Sequence, residues 1–264
     1  ERASPPRITP WKILNHTLRF EDKMKESRKI LGISEEDVLD VIKESLAVKK
    51  KENVAPSRLA EAYVVSASKY ELSTEKLSEE NKAAHQELME GYAKALNEVS
   101  AALDTADRDA VNPNNSTFRN LKMDEVHNLN AAFLHGLFFE NISDVRSNLA
   151  MDSLAYMRLE RDWGTFDAWQ RDFIACAMSS RNGWVVTVYN LFLKRYMNVV
   201  VDLHNIGIPF ASVPVIVLDC WEHSYYRDYL KDRRSYVFAM MKELRWEKIE
   251  DRIRKAERMA EVSK

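Results

Sequence analysis

The seventeen residues VPVIVLDCWEHSYYRDY, from Val213 to Tyr229, constrain this chain more tightly than any other stretch. Val213, Val215, Ile216, Val217 and Leu218 form an apolar, mostly β-branched run that predicts a buried strand. The run ends in Asp219. His223 follows four residues later, inside an aromatic-rich helical pattern. A carboxylate and an imidazole placed where a strand gives way to a helix can face one point in space, as two ligands of a cation must.

The chain around that stretch has 264 residues, enough for one large or two small domains and a sizeable core. Hydrophobic residues make up 45% and charged residues 30%, which describes a globular protein. The formal net charge is −2, so no whole-chain field draws the protein to nucleic acid or anionic lipid. No apolar stretch approaches the roughly 20 residues that a membrane span needs. Cys176 and Cys220, the two cysteines, both lie in apolar or aromatic surroundings and predict buried free thiols, in a reducing compartment or a mitochondrial matrix. ERASPPRITP at the start is consistent with the remnant of a transit peptide. Six glycines in the whole chain favour a helix-dominated body.

The expected fold class is α+β. Residues 1–76 form a helical N-terminal extension: Phe20–Lys29 is charged, Ser34 caps an amphipathic helix that runs to Lys49-Lys50-Lys51, and Pro56-Ser57 restarts a helix through Val64 and Val65. Residues 77–145 hold a helical hairpin, with long helices over about 77–103 and 123–139 joined by the polar loop DTADRDAVNPNNS. Residues 146–264 form the third unit, with helices near 152–159 and 165–179. Three β-branched segments follow at 184–188, 197–201 and 213–218 and predict a small antiparallel sheet; helix then returns at Trp221.

With these residues in place, the chain resembles the iron/manganese superoxide dismutases, whose C-terminal signature D-x-W-E-H-x-Y-Y stands here as Asp219, Trp221, Glu222, His223, Tyr225 and Tyr226. Arg161 to Asp167 resembles the family's D-F-G-S-F-D turn, Asn182-Gly183-Trp184 its S-G-W, and Arg245-Trp246-Glu247 its terminal N-W-E. The resemblance covers about residues 77–250 and implies the same layout of helical hairpin and three-stranded sheet. It also implies three histidines and one aspartate around iron or manganese. Asp219 and His223 take two of those places, and His135, in LHGLFFENIS, takes the position of the second ligand.

The first ligand is ambiguous in register. Anchoring on Tyr92, Leu96 and Asn97 puts Ala84 at the ligand position and Leu88 at a second family histidine. Anchoring on Leu77-Ser78 puts His85 at the ligand position. One residue turns a helix by roughly 100°, enough to aim an imidazole elsewhere. Tyr92 matches a gateway tyrosine with a catalytic role, while Ser180 and Ala131 stand where a glutamine near the bound solvent is expected. Glu222, His223 and Tyr226 match a two-fold dimer interface.

The ambiguous ligand and the missing glutamine make the first expectation a non-catalytic or weakly catalytic dismutase-like structural protein. Such a protein would carry no cofactor or only a residual Fe/Mn ion. Its place would be the mitochondrial matrix, as a component of the mitochondrial small ribosomal subunit, with a dimer partner, neighbouring ribosomal proteins and rRNA as contacts. The alternative is an active Fe/Mn superoxide dismutase that uses His85, His135, Asp219 and His223 as ligands.

Overall fold

The computed structural model describes residues 62–142 and 147–262; the helices expected before residue 62 lie outside the described residues. The first described segment, 62–74, has no helix, against the expected helix through Val64 and Val65. It lies along the first long helix, whose side chains satisfy its backbone: Asn97 Oδ1 accepts from Val65 N (2.7 Å), Asn97 Nδ2 donates to Val65 O (2.9 Å), and Gln86 Oε1 accepts from Tyr70 N (2.9 Å). These side-chain bonds take over backbone groups that a helix would have paired internally.

Helix α1 spans Glu79–Thr105. Ser78 caps it by accepting from Asn81 N, and Glu79 and Glu80 face the positive end of the helix dipole. At its other end the Arg108 guanidinium donates to Leu103 O and Ala106 O, each at 3.0 Å. Its inward stripe reads Asn81, His85, Met89, Ala93, Leu96, Ser100, Leu103. Those intervals of three and four residues hold one face of a helix. They also settle the register: His85 points inward, while Ala84 and Leu88 are only half-buried. Helix α2 spans Thr117–Asn141 with Ser116 as N-cap and buries Ala131, Leu134, His135, Phe138 and Phe139. Together the two helices make the hairpin.

Helices α3 (Leu154–Trp163) and α4 (Phe166–Ser179) follow, separated by Gly164 at φ +84°, a left-handed conformation that glycine adopts without strain. Three strands come next: β1 (Gly183–Asn190), β2 (Arg195–Asp202) and β3 (Ser212–Asp219). The sheet order is β2-β1-β3, all antiparallel, with Trp184 opposite Val201 on one side and Asp219 on the other. All eight residues of the central strand are buried, which accounts for its β-branched run. A Cβ at Gly183 would lie 1.9 Å from Val201 O, so β2 comes this close only because residue 183 has no side chain. Helices α5 (Glu222–Tyr229), α6 (Arg233–Lys242) and α7 (Trp246–Val262) follow.

Helices α3 and α4 pack on β1 and β2, while α2 and α7 pack on β3. The shared core includes Phe138, Phe139, Trp169, Phe173 and Trp184, all fully buried. Burying each such side chain contributes roughly 1.5–3 kcal/mol. Arg252, from α7, is a buried cation beside this core. It donates to Asn141 Oδ1, Val215 O, Leu137 O and Glu140 Oε2 and thereby joins α7, α2 and β3. No helix among the described residues is long and apolar enough to cross a membrane.

Candidate metal centre

Asp219 is the last residue of β3, and the structure fixes it from three sides. Its carbonyl oxygen accepts from Tyr236 Oη (2.8 Å) and Ser224 Oγ (3.2 Å), and its Oδ1 accepts from Trp221 N (2.9 Å). Oδ2 is left to face the interior. Three imidazoles meet it there: His85 Nε2 at 3.0 Å, His223 Nε2 at 3.1 Å and His135 Nε2 at 3.6 Å. The four donor atoms lie within 4.8 Å of one another. Bonds of roughly 2.1 Å to one first-row ion would space its ligands at about these distances.

The hydrogen bonds show which way each ring faces. His135 Nδ1 donates to Ala131 O, one turn back on α2 (2.6 Å), so Nε2 carries the lone pair. That Nε2 is fully buried and has no hydrogen-bond partner. A buried lone pair without a partner is costly unless something fills the place in front of it. His85 is held edge-on between Phe139 (4.9 Å between ring centres) and the other imidazoles, and His223 stacks on Trp221 (5.6 Å).

Burial lowers the His85 pKa, and burial together with neighbouring His85 pushes that of His135 down to about 3, so both rings are neutral at physiological pH. Burial on its own would raise the Asp219 carboxyl, but His223 and His85 outweigh it and hold the group well below the usual carboxylate range. Three imidazoles and one carboxylate are a donor set for iron, manganese or another borderline ion. The thiols stay out of it. Cys220, next in sequence to Asp219, directs Sγ to Leu218 O (3.7 Å), and burial pushes its pKa up to about 12.

The sequence reading missed His204. This residue lies in the turn after β2 and is fully buried beside the cage. Trp184 Nε1, which can only donate, gives its hydrogen to His204 Nδ1 (3.0 Å). The ring proton of the neutral imidazole therefore sits on Nε2, which donates to Tyr92 Oη (3.1 Å). Burial, opposed by Asp219 and reinforced by His127 and His223, brings His204 down to about 4. Tyr92 packs against His135 (5.4 Å) and keeps its phenolic proton, because burial and the charge of Asp219 raise its pKa.

The expected loss of polar contacts around the cage is therefore corrected. Ser180 turns away to Ala177 O and Ala131 contributes its carbonyl, yet an imidazole from the turn after β2 reaches Tyr92 instead. The only signal for it in the sequence was an isolated histidine after a β-branched segment, which no pattern singled out. The structure brings His85, His135, Asp219 and His223 together with Tyr92 beside them. Glu222 is exposed at the start of α5, and Tyr226 is 55% exposed one turn further on.

Comparison with known proteins agrees with this geometry. Residues 152–252 match the family described as iron/manganese superoxide dismutases, C-terminal domain. The chain is 32% identical over 177 residues to an iron superoxide dismutase of Aquifex pyrophilus, covering 66% of this chain and 82% of that one. It is 38% identical over 122 residues to a manganese superoxide dismutase of Haloferax volcanii, covering 46% and 60% respectively. Over 151 residues it is 36% identical to a manganese superoxide dismutase of Haloferax mediterranei, covering 56% of this chain and all of that one. These relatives, together with the four gathered donors, overturn the expectation of a non-catalytic ribosomal component with a broken cage. The expected ribosomal proteins and rRNA are withdrawn as partners on the same grounds.

Proposed function

The chain belongs to the iron/manganese superoxide dismutase family, and from that premise we propose that it holds one iron or manganese ion and converts superoxide to dioxygen and hydrogen peroxide. In this reading His85, His135, Asp219 and His223 hold the ion. The observation that carries the reading is the convergence of four donors, one of them the buried, partnerless Nε2 of His135.

Two superoxide anions and two protons become one dioxygen and one hydrogen peroxide. The bound ion would supply a centre that takes up one electron and gives it back. Asp219 contributes a fixed negative charge and the histidines neutral lone pairs, so the cage selects a cation and leaves it partly uncompensated. His204 fixes the direction of the polar chain: because its Nε2–H is directed to Tyr92 Oη, the phenolic hydrogen of Tyr92 remains free to be donated inward. Tyr92 thus holds a proton beside the place where reduced oxygen needs one. The aromatic wall of Phe138, Phe139, Trp184 and Trp221 limits water around the cage, which strengthens these polar contacts.

The same reading includes a symmetric homodimer formed through Glu222, His223 and Tyr226. Glu222 and Tyr226 are exposed beside His223, whose side chain is 24% exposed while the other three donors are buried. A second copy related by a two-fold axis would close this open edge.

Metal analysis and superoxide removal test the proposal. The purified protein, loaded separately with iron and with manganese, is expected to retain about one ion per chain with one of them and to remove superoxide. His135→Ala is expected to lose both properties. Failure to retain either ion, or unchanged superoxide removal by the variant, would overturn the assignment.

A further inference from the structure

We infer that His127 admits anions to the metal centre: its imidazole, when cationic, draws superoxide and small anions of its kind toward the open side of the cage. The inference rests on the reading of the cage as a dismutase site.

His127 lies on α2 eight residues before His135, on the same helical face and two turns away. Its ring stands edge-on to His204 (4.6 Å between centres) and 6.1 Å from Tyr92. His85, His135, Asp219 and His204 are all at most 2% exposed, whereas Tyr92 and His127 are each partly exposed. With the His223 edge covered by the proposed dimer partner, the layer formed by Tyr92 and His127 is where the cage's surroundings open to solvent.

The groups facing His127 come from three elements. Asp124 lies one turn earlier on α2, Tyr92 comes from α1, and His204 from the turn after β2. Burial lowers the His127 pKa and Asp124 restores part of it, so the ring gains its charge below its ordinary value of 6.5. Burial, with the charges of His127 and His223 against that of Asp219, holds His204 down to about 4, and Tyr92 stays neutral. Within this layer His127 is accordingly the group whose charge changes in mildly acidic solution.

The role follows from how the neighbours are connected. A proton wire from His127 through His204 to Tyr92 would need His204 Nδ1 to accept a proton, and the Trp184 N–H fills that place. Charge is what His127 can still contribute. One unit charge roughly 6 Å from an anion in a water-rich gap changes its affinity about threefold to tenfold.

Azide, a small monovalent anion, serves as the probe. It is titrated into the metal-loaded wild type and into His127→Gln and His127→Phe from pH 7.5 to 5, with binding read from the optical spectrum. Between those limits wild-type affinity is expected to rise roughly three- to tenfold more than that of either variant. In metal-free protein, the imidazole resonance that disappears in His127→Gln is expected to titrate with a midpoint below 6.5. Parallel azide curves in a loaded protein, or a His127 resonance that does not move above pH 4.5, would overturn this inference alone. A protein that loads neither iron nor manganese would overturn the dismutase reading and this inference with it.

Discussion

Replacing His204 with leucine removes two hydrogen bonds at once, and the structure fixes what each is worth. Trp184 is fully buried, so its Nε1–H, now without an acceptor, costs about 1–3 kcal/mol. The lost bond to the half-buried Tyr92 Oη adds about 1 kcal/mol. Metal-free His204→Leu is therefore expected to be roughly 2–4 kcal/mol less stable than wild type in urea unfolding at pH 7.5, followed by tryptophan fluorescence. Glutamine carries an acceptor oxygen and a donor nitrogen in the same division of roles as the fixed imidazole, so His204→Gln is expected to cost less than half as much. Acidification separates the two further. Below pH 6.5 the unfolded chain protonates residue 204, whereas the folded chain does so only near 4. Wild type therefore loses stability as the pH falls through this window, by at most about 3 kcal/mol, and the gap between it and His204→Gln narrows. A leucine variant as stable as wild type, or a gap unchanged from pH 7.5 to 4.5, would refute the assigned tautomer.

Arg252→Met should cost roughly 2–4 kcal/mol in the same urea assay, because it leaves the buried Asn141 Oδ1 and two carbonyls without this donor. A loss below 1 kcal/mol would show that water enters and satisfies these groups. Iron or manganese should raise the melting temperature of wild type by mass action and leave that of His135→Ala unchanged, as calorimetry with and without metal will show. Glu222→Ala should shift the protein from dimer toward monomer in light scattering. If its mass is unchanged at micromolar concentration, the two-fold pairing proposed for this edge is wrong.

Much of the fold could be read from the residues because local and global preferences coincide. Val185, Val186 and Val188 are β-branched in a strand buried along its whole length, and Ser78 and Ser116 cap helices where their hydroxyls can reach the free N–H groups. The segment at 62–74 misled because its alternating small and apolar residues suit a helix, whereas its backbone partners, Gln86 and Asn97, come from elsewhere in the chain. Asp219 and His223 were legible because four residues of one strand-to-helix junction bring them together. His85 was not settled, since pattern alone could not distinguish its phase from that of Ala84; the inward stripe from Asn81 to Leu103 decides it. His204 had no local signature at all. Its partners Trp184 and Tyr92 are 20 and 112 residues away, and without it the surroundings of the cage looked depleted enough to suggest an inert relative.

The nitrogen of His85 and the oxygen of Asp219 that define the cage are 134 positions apart along the chain. While the ribosome is still extending the polypeptide through β2, no pocket for an ion exists, however much metal surrounds it. Arg252, 111 positions beyond Asn141, ties the last helix to this assembly later still. In the proposed reading, loading therefore waits until Asp219 and His223 have been made and their strand-to-helix junction has docked against His85 and His135.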